Sequence, residues 1–221
     1  MRYQSHKLKS ILKSCRPRQW TKNFIVAAAP FFSLKFDLEI LYTTIISLIC
    51  FCLISSSVYL LNDSLDINED KNHPIKKYRP IPSGLISVQL AKLTSFSLIF
   101  ISLLISAFVS KALFLILIGY LIIQLSYCLI FKNKPILDLI CISSGFLLRS
   151  IAGGAASGIF ISPWFLLSVG FLALFLAVEK RKAELVQYEN NGELTRKVLK
   201  RYSMPLLLRI ENLSSTSALI T

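Results

Sequence analysis

Residues 38–61 read LEILYTTIISLICFCLISSSVYLL, a long run with almost no charge. Its only charged residue is Glu39, which lies near the start. A bilayer core of about 30 Å needs roughly 20 apolar residues as helix, so this stretch predicts a membrane-spanning helix. The rest of the chain is also suited to lipid. Of its 221 residues 54% are hydrophobic and only 17% are charged, against about 25% charged in an average soluble domain.

Other apolar blocks extend this pattern along the chain. Four are long enough to cross a bilayer, at residues 93–110, 112–131, 135–158 and 159–178. The block Phe24–Leu34 is short, and we count it as a first helix that includes the polar turn with Trp20 at the interface and Lys22 snorkelling. Ser203–Thr221 starts as a further helix. We therefore expect an all-α integral membrane bundle of six complete spans plus a truncated seventh, in one domain over residues 1–221 that is truncated at its C-terminus.

The charges predict the orientation of this bundle. The net charge is +13, which suits nucleic acid, a membrane surface or an anionic substrate. Nucleic acid is disfavoured, because the basic residues lie in short loops between apolar blocks. If the N-terminus is inside, the outside turns carry only Lys35 and Lys111 as cations. The positive-inside rule then predicts a multi-pass protein of the cytoplasmic (inner) membrane, with the N-terminus and the 62–92 loop in the cytoplasm.

The 62–92 loop opens with the acid-rich run NDSLDINED at residues 62–70. If the preceding helix continues, Asp63, Asp66 and Asp70 share one face. Carboxylates crowded in this way repel one another unless a cation lies among them, and oxygen ligands suit a Mg²⁺ ion that also contacts phosphates. We predict that Asn62, Asp63, Asp66 and Asp70 bind Mg²⁺ and a diphosphate. The alternative is that they are ordinary solvated loop acids.

Basic residues follow the acids directly. Lys71, Lys76, Lys77 and Arg79 lie in a stretch that Pro74, Pro80 and Pro82 make stiff. A stiff basic loop beside an acid cluster is able to hold a polyphosphate from the other side. The alternative is a loop that touches anionic lipids, which explains the cations but not the acids.

Two further charged groups lie in or next to later spans. Arg149 lies within a span, which makes it a candidate functional residue. Asp138 lies eleven residues earlier on the same helix face, and we expect it to face a polar cavity near the mouth, with Arg149 deeper. Lys180, Arg181 and Glu184 end the last long span. They are either a phosphate clamp or an ordinary snorkelling helix end.

Taken in order, these segments resemble the UbiA superfamily of intramembrane prenyltransferases, and within it the polyprenyl-phosphate phosphoribosyltransferase branch. The likeness runs from about residue 13 to the C-terminus. Its carrying segments are RPRQWTKN at 16–23, SVYLLND at 57–63 with Asp66 and Asp70, GFLLR at 145–149 and KRKAEL at 180–185. The acid motif N-D-x-x-D-x-x-x-D is the most specific of these.

The resemblance implies nine membrane helices around a cavity open to lipid. It also implies Mg²⁺-dependent transfer of a phosphoribosyl group from phosphoribosyl diphosphate to a polyprenyl phosphate. The partners would be a polyprenyl lipid, a phosphorylated sugar diphosphate and membrane lipids, with no nucleic acid. Asp63, Asp66 and Asp70 would carry the catalysis. The substrate-contact candidates are Lys22, Asn62, Arg79, Tyr127, Lys132, Asp138, Arg149, Lys180, Arg181 and Glu184.

One departure from the superfamily pattern bears on the reaction. Aromatic prenyltransferases of the superfamily carry a second aspartate pair where this chain has Lys180-x-x-x-Glu184. A lysine in place of a carboxylate favours the phosphoribosyl branch. Two alternatives stay open, a prenyltransferase that uses a prenyl diphosphate and an aromatic or other small acceptor, and a non-enzyme such as a transporter or an inactive truncated remnant.

Overall fold

The computed structural model describes residues 2–192 and 196–221, apart from the side chains of residues 2–6 and 191. Within these ranges all regular structure is helical. The α-helices are α1 (Arg2–Ser14), α2 (Ala28–Ser33), α3 (Leu38–Leu65), α4 (Ile67–Lys71), α5 (Val88–Val109), α6 (Lys111–Leu129), α7 (Leu137–Ser157), α8 (Pro163–Asn191) and α9 (Met204–Ile220). Short 3₁₀ helices span Pro17–Ala27, Lys76–Tyr78, Phe131–Asn133 and Lys197–Arg201.

Five of the described helices, α3, α5, α6, α7 and α8, are long and apolar enough to cross a membrane. They coincide with the five long apolar blocks, so the all-α membrane bundle is confirmed. The predicted count of six complete spans plus a seventh is not confirmed. The predicted first span is divided between the 3₁₀ segment Pro17–Ala27 and the six-residue helix α2. Helix α9 covers the predicted seventh segment with 17 residues.

Helix α8 differs at both ends from the span predicted at residues 159–178. It starts at Pro163, a residue favoured at the first helical position because its missing N–H has no helical partner to lose. It runs on to Asn191, and Gly192 ends it with a φ of +69°. The segment Lys180–Glu184 therefore belongs to the same continuous helix as the apolar span.

Helix α3 lies at the centre of the bundle and packs against α5, α6 and α7. Small residues bring α3 and α5 close together, since the Ser95 hydroxyl donates to the Ser57 carbonyl at 2.8 Å and the Ser102 hydroxyl donates to the Cys50 carbonyl at 3.0 Å. Such serine contacts replace part of the hydrophobic driving force that helices lack in lipid. The core is completed by a buried cluster that includes Phe51.

The 3₁₀ segment Pro17–Ala27 is held by tertiary contacts. Asn23 is fully buried and accepts a hydrogen bond from Arg149 Nε at 2.7 Å. The carbonyl of Val26 lies against Gly153 of α7, where an added Cβ would stand 1.8 Å from that oxygen. Only glycine at residue 153 permits this approach. These contacts fix the position of Lys22, which lies between Pro17 and Asn23.

Candidate active site

The acids of the predicted metal motif lie at one end of α3. Asp63 is in its last turn, Asp66 forms the break between α3 and α4, and Asp70 is in α4. The expected single helix face is therefore interrupted at Asp66. Asp63 and Asp70 are nevertheless both buried, and one nitrogen joins them. Arg79 Nη1 donates to Asp63 Oδ1 at 3.1 Å and to Asp70 Oδ2 at 2.8 Å.

Further cations surround the same acids. Arg16 Nη2 donates to Asp63 Oδ1 at 2.5 Å, and Lys132 is paired with Asp66. Lys76 Nζ lies 3.8 Å from Asp70 Oδ1. Each of the three motif acids thus has a basic partner. The sequence predicted Arg79 and Lys132 as substrate contacts, and the structure brings both into the acid cluster.

The donor set fits a hard divalent cation. It consists of three carboxylates and the amide of Asn62 within nine residues, which is oxygen chemistry of the kind Mg²⁺ prefers. Asp63 and Asp70 are close enough to share one cationic nitrogen. In the described part of the chain, no three His, Cys, Asp or Glu side chains converge as a ready-made metal site. To bind a metal ion, the carboxylates would have to release a basic partner and coordinate the ion in its place. The magnesium site therefore stays a prediction.

Arg16 was missed as a site residue by sequence reasoning. Its φ of +53° is left-handed, which is uncommon for a residue with a Cβ. The strain is sustained by two contacts, the pair with Asp63 and the stacking of the guanidinium 4.8 Å from the Tyr59 ring centre. Non-glycine residues with such strain cluster at functional sites. The available signal was its place at the start of the RPRQWTKN segment.

Arg149 is buried in the bundle, and no carboxylate of the described residues pairs with it. Its guanidinium donates to Asn23 Oδ1 at 2.7 Å, to the Gly145 carbonyl at 2.7 Å and to the Tyr120 hydroxyl at 2.8 Å. It also lies 4.9 Å from the centre of the Tyr120 ring. All these acceptors are neutral. Among the described residues its charge is thus met by neutral acceptors, which leaves the electrostatic potential positive deep behind the mouth.

Asp138 differs from its prediction. We expected it to face a polar cavity, but it is fully buried, and its two oxygens are both used inside the protein. Arg181 Nη2 donates to Oδ2 at 2.7 Å, and the Tyr202 hydroxyl donates to Oδ1 at 2.5 Å. Burial and this hydrogen bond raise the pKa of Tyr202, so its phenol keeps the proton that it donates. A charge in a low-dielectric interior needs such pairing, which explains the difference.

Glu184 continues this network toward the mouth. Arg181 is also paired with Glu184, and Arg196 Nε lies 3.2 Å from Glu184 Oε2. Arg196 Nη1 donates to the Tyr127 hydroxyl at 3.0 Å, so it joins two residues predicted as substrate contacts. Arg196 could not be identified from the sequence alone, because it lies in a polar loop with no motif.

Lys22 and Lys180 are the predicted site residues with accessible side chains and no acid within 4 Å among the described residues. Although the Lys22 side chain is exposed to solvent, its partial burial, together with the nearby charge of Lys180, lowers the pKa of this lysine. The charges of Arg149 and Arg16 lower it further. The acids and cations at the end of α3 are thus paired, whereas the charges that act on Lys22 are mainly positive.

An apolar helical bundle with such a charged mouth is the architecture of a multi-pass membrane protein. Comparison with known proteins gives the family. Residues 23–199 match the UbiA prenyltransferase family, and the chain belongs to this family of transferases.

Curated relatives and solved structures agree with this assignment. The chain is 39% identical to a decaprenyl-phosphate phosphoribosyltransferase from Mycolicibacterium smegmatis, over 95% of this chain and 68% of the relative. It is 36% identical to the protein of the same name from Corynebacterium glutamicum, over 96% and 65%. The chain thus spans about two thirds of the length of these relatives. A UbiA homologue from Archaeoglobus fulgidus, solved with DMAPP and Mg²⁺, shares the fold with a TM-score of 0.75 at 22% identity, covering 94% of this chain and 76% of that one.

Proposed function

We propose that this protein transfers the phosphoribosyl group of phosphoribosyl diphosphate to a polyprenyl phosphate in the membrane, with the help of Mg²⁺. The observation that carries the proposal is the joint contact of Arg79 with Asp63 and Asp70 at the end of α3. In this contact, carboxylates of the type that bind Mg²⁺ lie beside a guanidinium of the type that binds phosphate. The names of the two bacterial relatives support the choice of substrates.

The reaction replaces the diphosphate at the anomeric carbon of ribose by a phosphate oxygen of the lipid. The bond from the anomeric carbon to the diphosphate oxygen breaks, and the electron pair leaves with the diphosphate. A bond to the lipid phosphate oxygen then forms. A bound Mg²⁺ would supply charge neutralisation for the leaving group. Asn62, Asp63, Asp66 and Asp70 would hold it.

The residues of this chain mainly position the two substrates and neutralise their negative charge. Arg79 and Lys132 are each able to exchange a carboxylate for a phosphate oxygen, because both types of partner are anionic oxygens. The nucleophile is already an anion, so no general base is required. Asp138 and Arg181 act behind this surface by holding α7 against α8. Preorganised charge of this kind is a large part of the catalysis of many enzymes.

The proposed orientation follows from the same chemistry. Phosphoribosyl diphosphate is water-soluble, so the acid-rich mouth faces the cytoplasm, where the positive-inside rule also places the 62–92 loop. The polyprenyl phosphate enters sideways from the bilayer of the inner membrane. Its chain is apolar and needs no aqueous path.

The test is a transfer assay with the protein in lipid nanodiscs. Phosphoribosyl diphosphate labelled in the ribose is mixed with polyprenyl phosphate and Mg²⁺, and the lipid fraction is counted. We expect labelled lipid with the wild type and the matched control Glu69→Gln, whose acid lies in the same loop, exposed and paired with Lys197. We expect at least a hundredfold loss with Asp66→Asn. Transfer from a labelled prenyl diphosphate to an aromatic acceptor, with none from phosphoribosyl diphosphate, would replace this proposal by the prenyltransferase alternative.

A further inference from the structure

The turn before α7 contains a strained backbone at a β-branched residue. Ile136 has a φ of +68° and a ψ of −49°, which are close to the angles of the γ-turn with positive φ, a rare and strained conformation. The hydrogen bond that defines a γ-turn is present, since the Leu137 N–H donates to the Pro135 carbonyl at 2.8 Å. Glycine adopts a positive φ freely, whereas a side chain branched at Cβ opposes it. Ile136 is 45% exposed, so the packing of its side chain alone does not hold the turn.

The hydroxyl of Tyr202 holds this turn from outside. The Ile136 N–H donates to Tyr202 Oη at 2.8 Å, and the Tyr202 hydroxyl donates to Asp138 Oδ1 at 2.5 Å. A phenol has one proton to donate, so the carboxylate takes that proton and the phenol oxygen accepts from Ile136. Tyr202 is itself fixed, because it is buried in an apolar cluster with Leu139 and Leu207. Strained residues persist where their surroundings over-determine them, and they cluster at functional sites.

The turn connects this buried network to the charged mouth. Lys132 lies four residues before Ile136, in the short 3₁₀ helix that follows α6, and it is paired with Asp66. The backbone between Lys132 and α7 is tied to the first turn of that helix, because the Asp138 N–H donates to the Lys134 carbonyl at 3.1 Å. Rotation of Ile136 to an ordinary negative φ would redirect this backbone. It would carry Lys132 away from Asp66.

We propose that Tyr202 is a positioning residue, whose hydroxyl holds the γ-turn at Ile136 and thereby keeps Lys132 in place at the mouth. The adjacent residue supports the same segment, since Arg201 Nη1 donates to the Asn133 carbonyl at 3.5 Å. The chain just before α9 thus contacts the segment both beside Lys132 and at the turn. The inference rests on the proposed function, which uses Lys132, and deepens it by naming a residue that sets the geometry of the site through the backbone.

Lysine acetylation in nanodiscs measures the position of Lys132 without substrate or metal. A short pulse of a water-soluble acetylating reagent is followed by mass spectrometry of each lysine. Lys132 is paired and mostly covered, whereas Lys134 in the same loop is exposed and serves as the internal reference. Tyr202→Phe keeps the ring and removes the hydroxyl, and it should speed the acetylation of Lys132 about fivefold, as expected for the loss of one ion pair. The matched control Tyr188→Phe, which changes a tyrosine packed against the same apolar cluster, should leave both lysines unchanged.

A glycine in the turn separates positioning from packing. Ile136→Gly removes the steric cost of the positive φ, so the combination of Tyr202→Phe with Ile136→Gly should return the acetylation of Lys132 to the wild-type rate. In the transfer assay, Tyr202→Phe should lower the rate about 10- to 100-fold, and the added glycine should restore most of it. If Tyr202 only stabilised the apolar core, a glycine in the turn would not repair its loss.

The outcomes distinguish this inference from the proposed function. If Tyr202→Phe acetylates Lys132 as slowly as the wild type does, or if the added Ile136→Gly does not reverse the change, the positioning role is refuted even when labelled lipid forms. If acetylation responds as expected but the wild type forms no labelled lipid, the proposed function is refuted and the positioning role stands. Should Tyr202→Phe fail to insert, Ile136→Pro decides the same question, because proline lacks the N–H and cannot adopt a positive φ. Lys132 must then react faster, and a wild-type rate refutes the positioning role.

Discussion

Replacing Gly153 by alanine should displace the 3₁₀ segment that carries Lys22. An added Cβ at residue 153 would stand 1.8 Å from the Val26 carbonyl oxygen and 2.8 Å from the carbonyl carbon. Normal carbon–oxygen contacts are about 3.3 Å, so the backbone of the segment must move by about 1.5 Å. The obstacle is backbone at Val26, which cannot turn away as a flexible side chain could.

Two effects should follow from this displacement. Overpacking typically costs about 1–3 kcal/mol of stability, and the hydrogen bond between Asn23 and Arg149 stretches because Asn23 moves with the segment. A misplacement of about 1 Å at a positioning element is enough to lower a rate about a hundredfold. We therefore expect Gly153→Ala to fold with a lower melting temperature and to transfer the labelled group about 10- to 100-fold more slowly.

The matched control is Gly119→Ala in the middle of α6, where an added Cβ meets no atom within 4 Å. Alanine is the better helix former, so this variant should be as stable and as active as the wild type. Thermal denaturation in detergent and the transfer assay measure both variants. Wild-type stability and rate in Gly153→Ala would refute the packing of the 3₁₀ segment against α7.

Three other predictions concern single charged residues. Asp138→Ala removes one of the two carboxylates that pair with the buried Arg181 and also the acceptor of the Tyr202 hydroxyl. It should cost about 3–5 kcal/mol in the free energy of unfolding, and a loss below about 1 kcal/mol by thermal denaturation would contradict the buried pair. Arg149→Lys should lower the free energy of unfolding by about 1–3 kcal/mol, because an ammonium group cannot reach all three acceptors to which the guanidinium donates. An unchanged melting temperature would exclude this network. Lys22→Met should raise the melting temperature at pH 7. The pKa of Lys22 is lowered from 10.5, so its charge opposes folding below the lowered pKa, and this penalty fades as the pH rises toward 10.5. If the increase in melting temperature caused by Lys22→Met became larger as the pH rises, this reasoning would be contradicted.

Hydropathy alone was sufficient to predict most of the membrane-spanning helices. The spans at α3, α5, α6 and α7 were predicted within a few residues of their bounds, because lipid demands long apolar helices. The segment around Phe24 was harder. Its 3₁₀ form depends on the close approach to Gly153 and on the bond to Arg149, which is 126 residues away. Local sequence carries neither contact.

The acids of the site were predictable, and their partners were only partly so. The spacing of Asp63, Asp66 and Asp70 identified them, and Arg79 was close in sequence. The burial of Asp138 depends on Arg181, 43 residues later, and on Tyr202, 64 residues later. Such a network is set by how α7, α8 and the loop before α9 pack. Sequence spacing within one helix could not show it.

Electron paramagnetic resonance in nanodiscs would show whether the mouth binds Mn²⁺, a paramagnetic substitute for Mg²⁺. The acids at the end of α3 should bind Mn²⁺ tightly when inorganic diphosphate is present, because the diphosphate takes over the cations that now pair with Asp63, Asp66 and Asp70. Asp66→Asn should abolish this binding, and Glu69→Gln should retain it. Equal Mn²⁺ binding by these two variants, or none by the wild type with diphosphate, would contradict a metal–diphosphate site at this mouth.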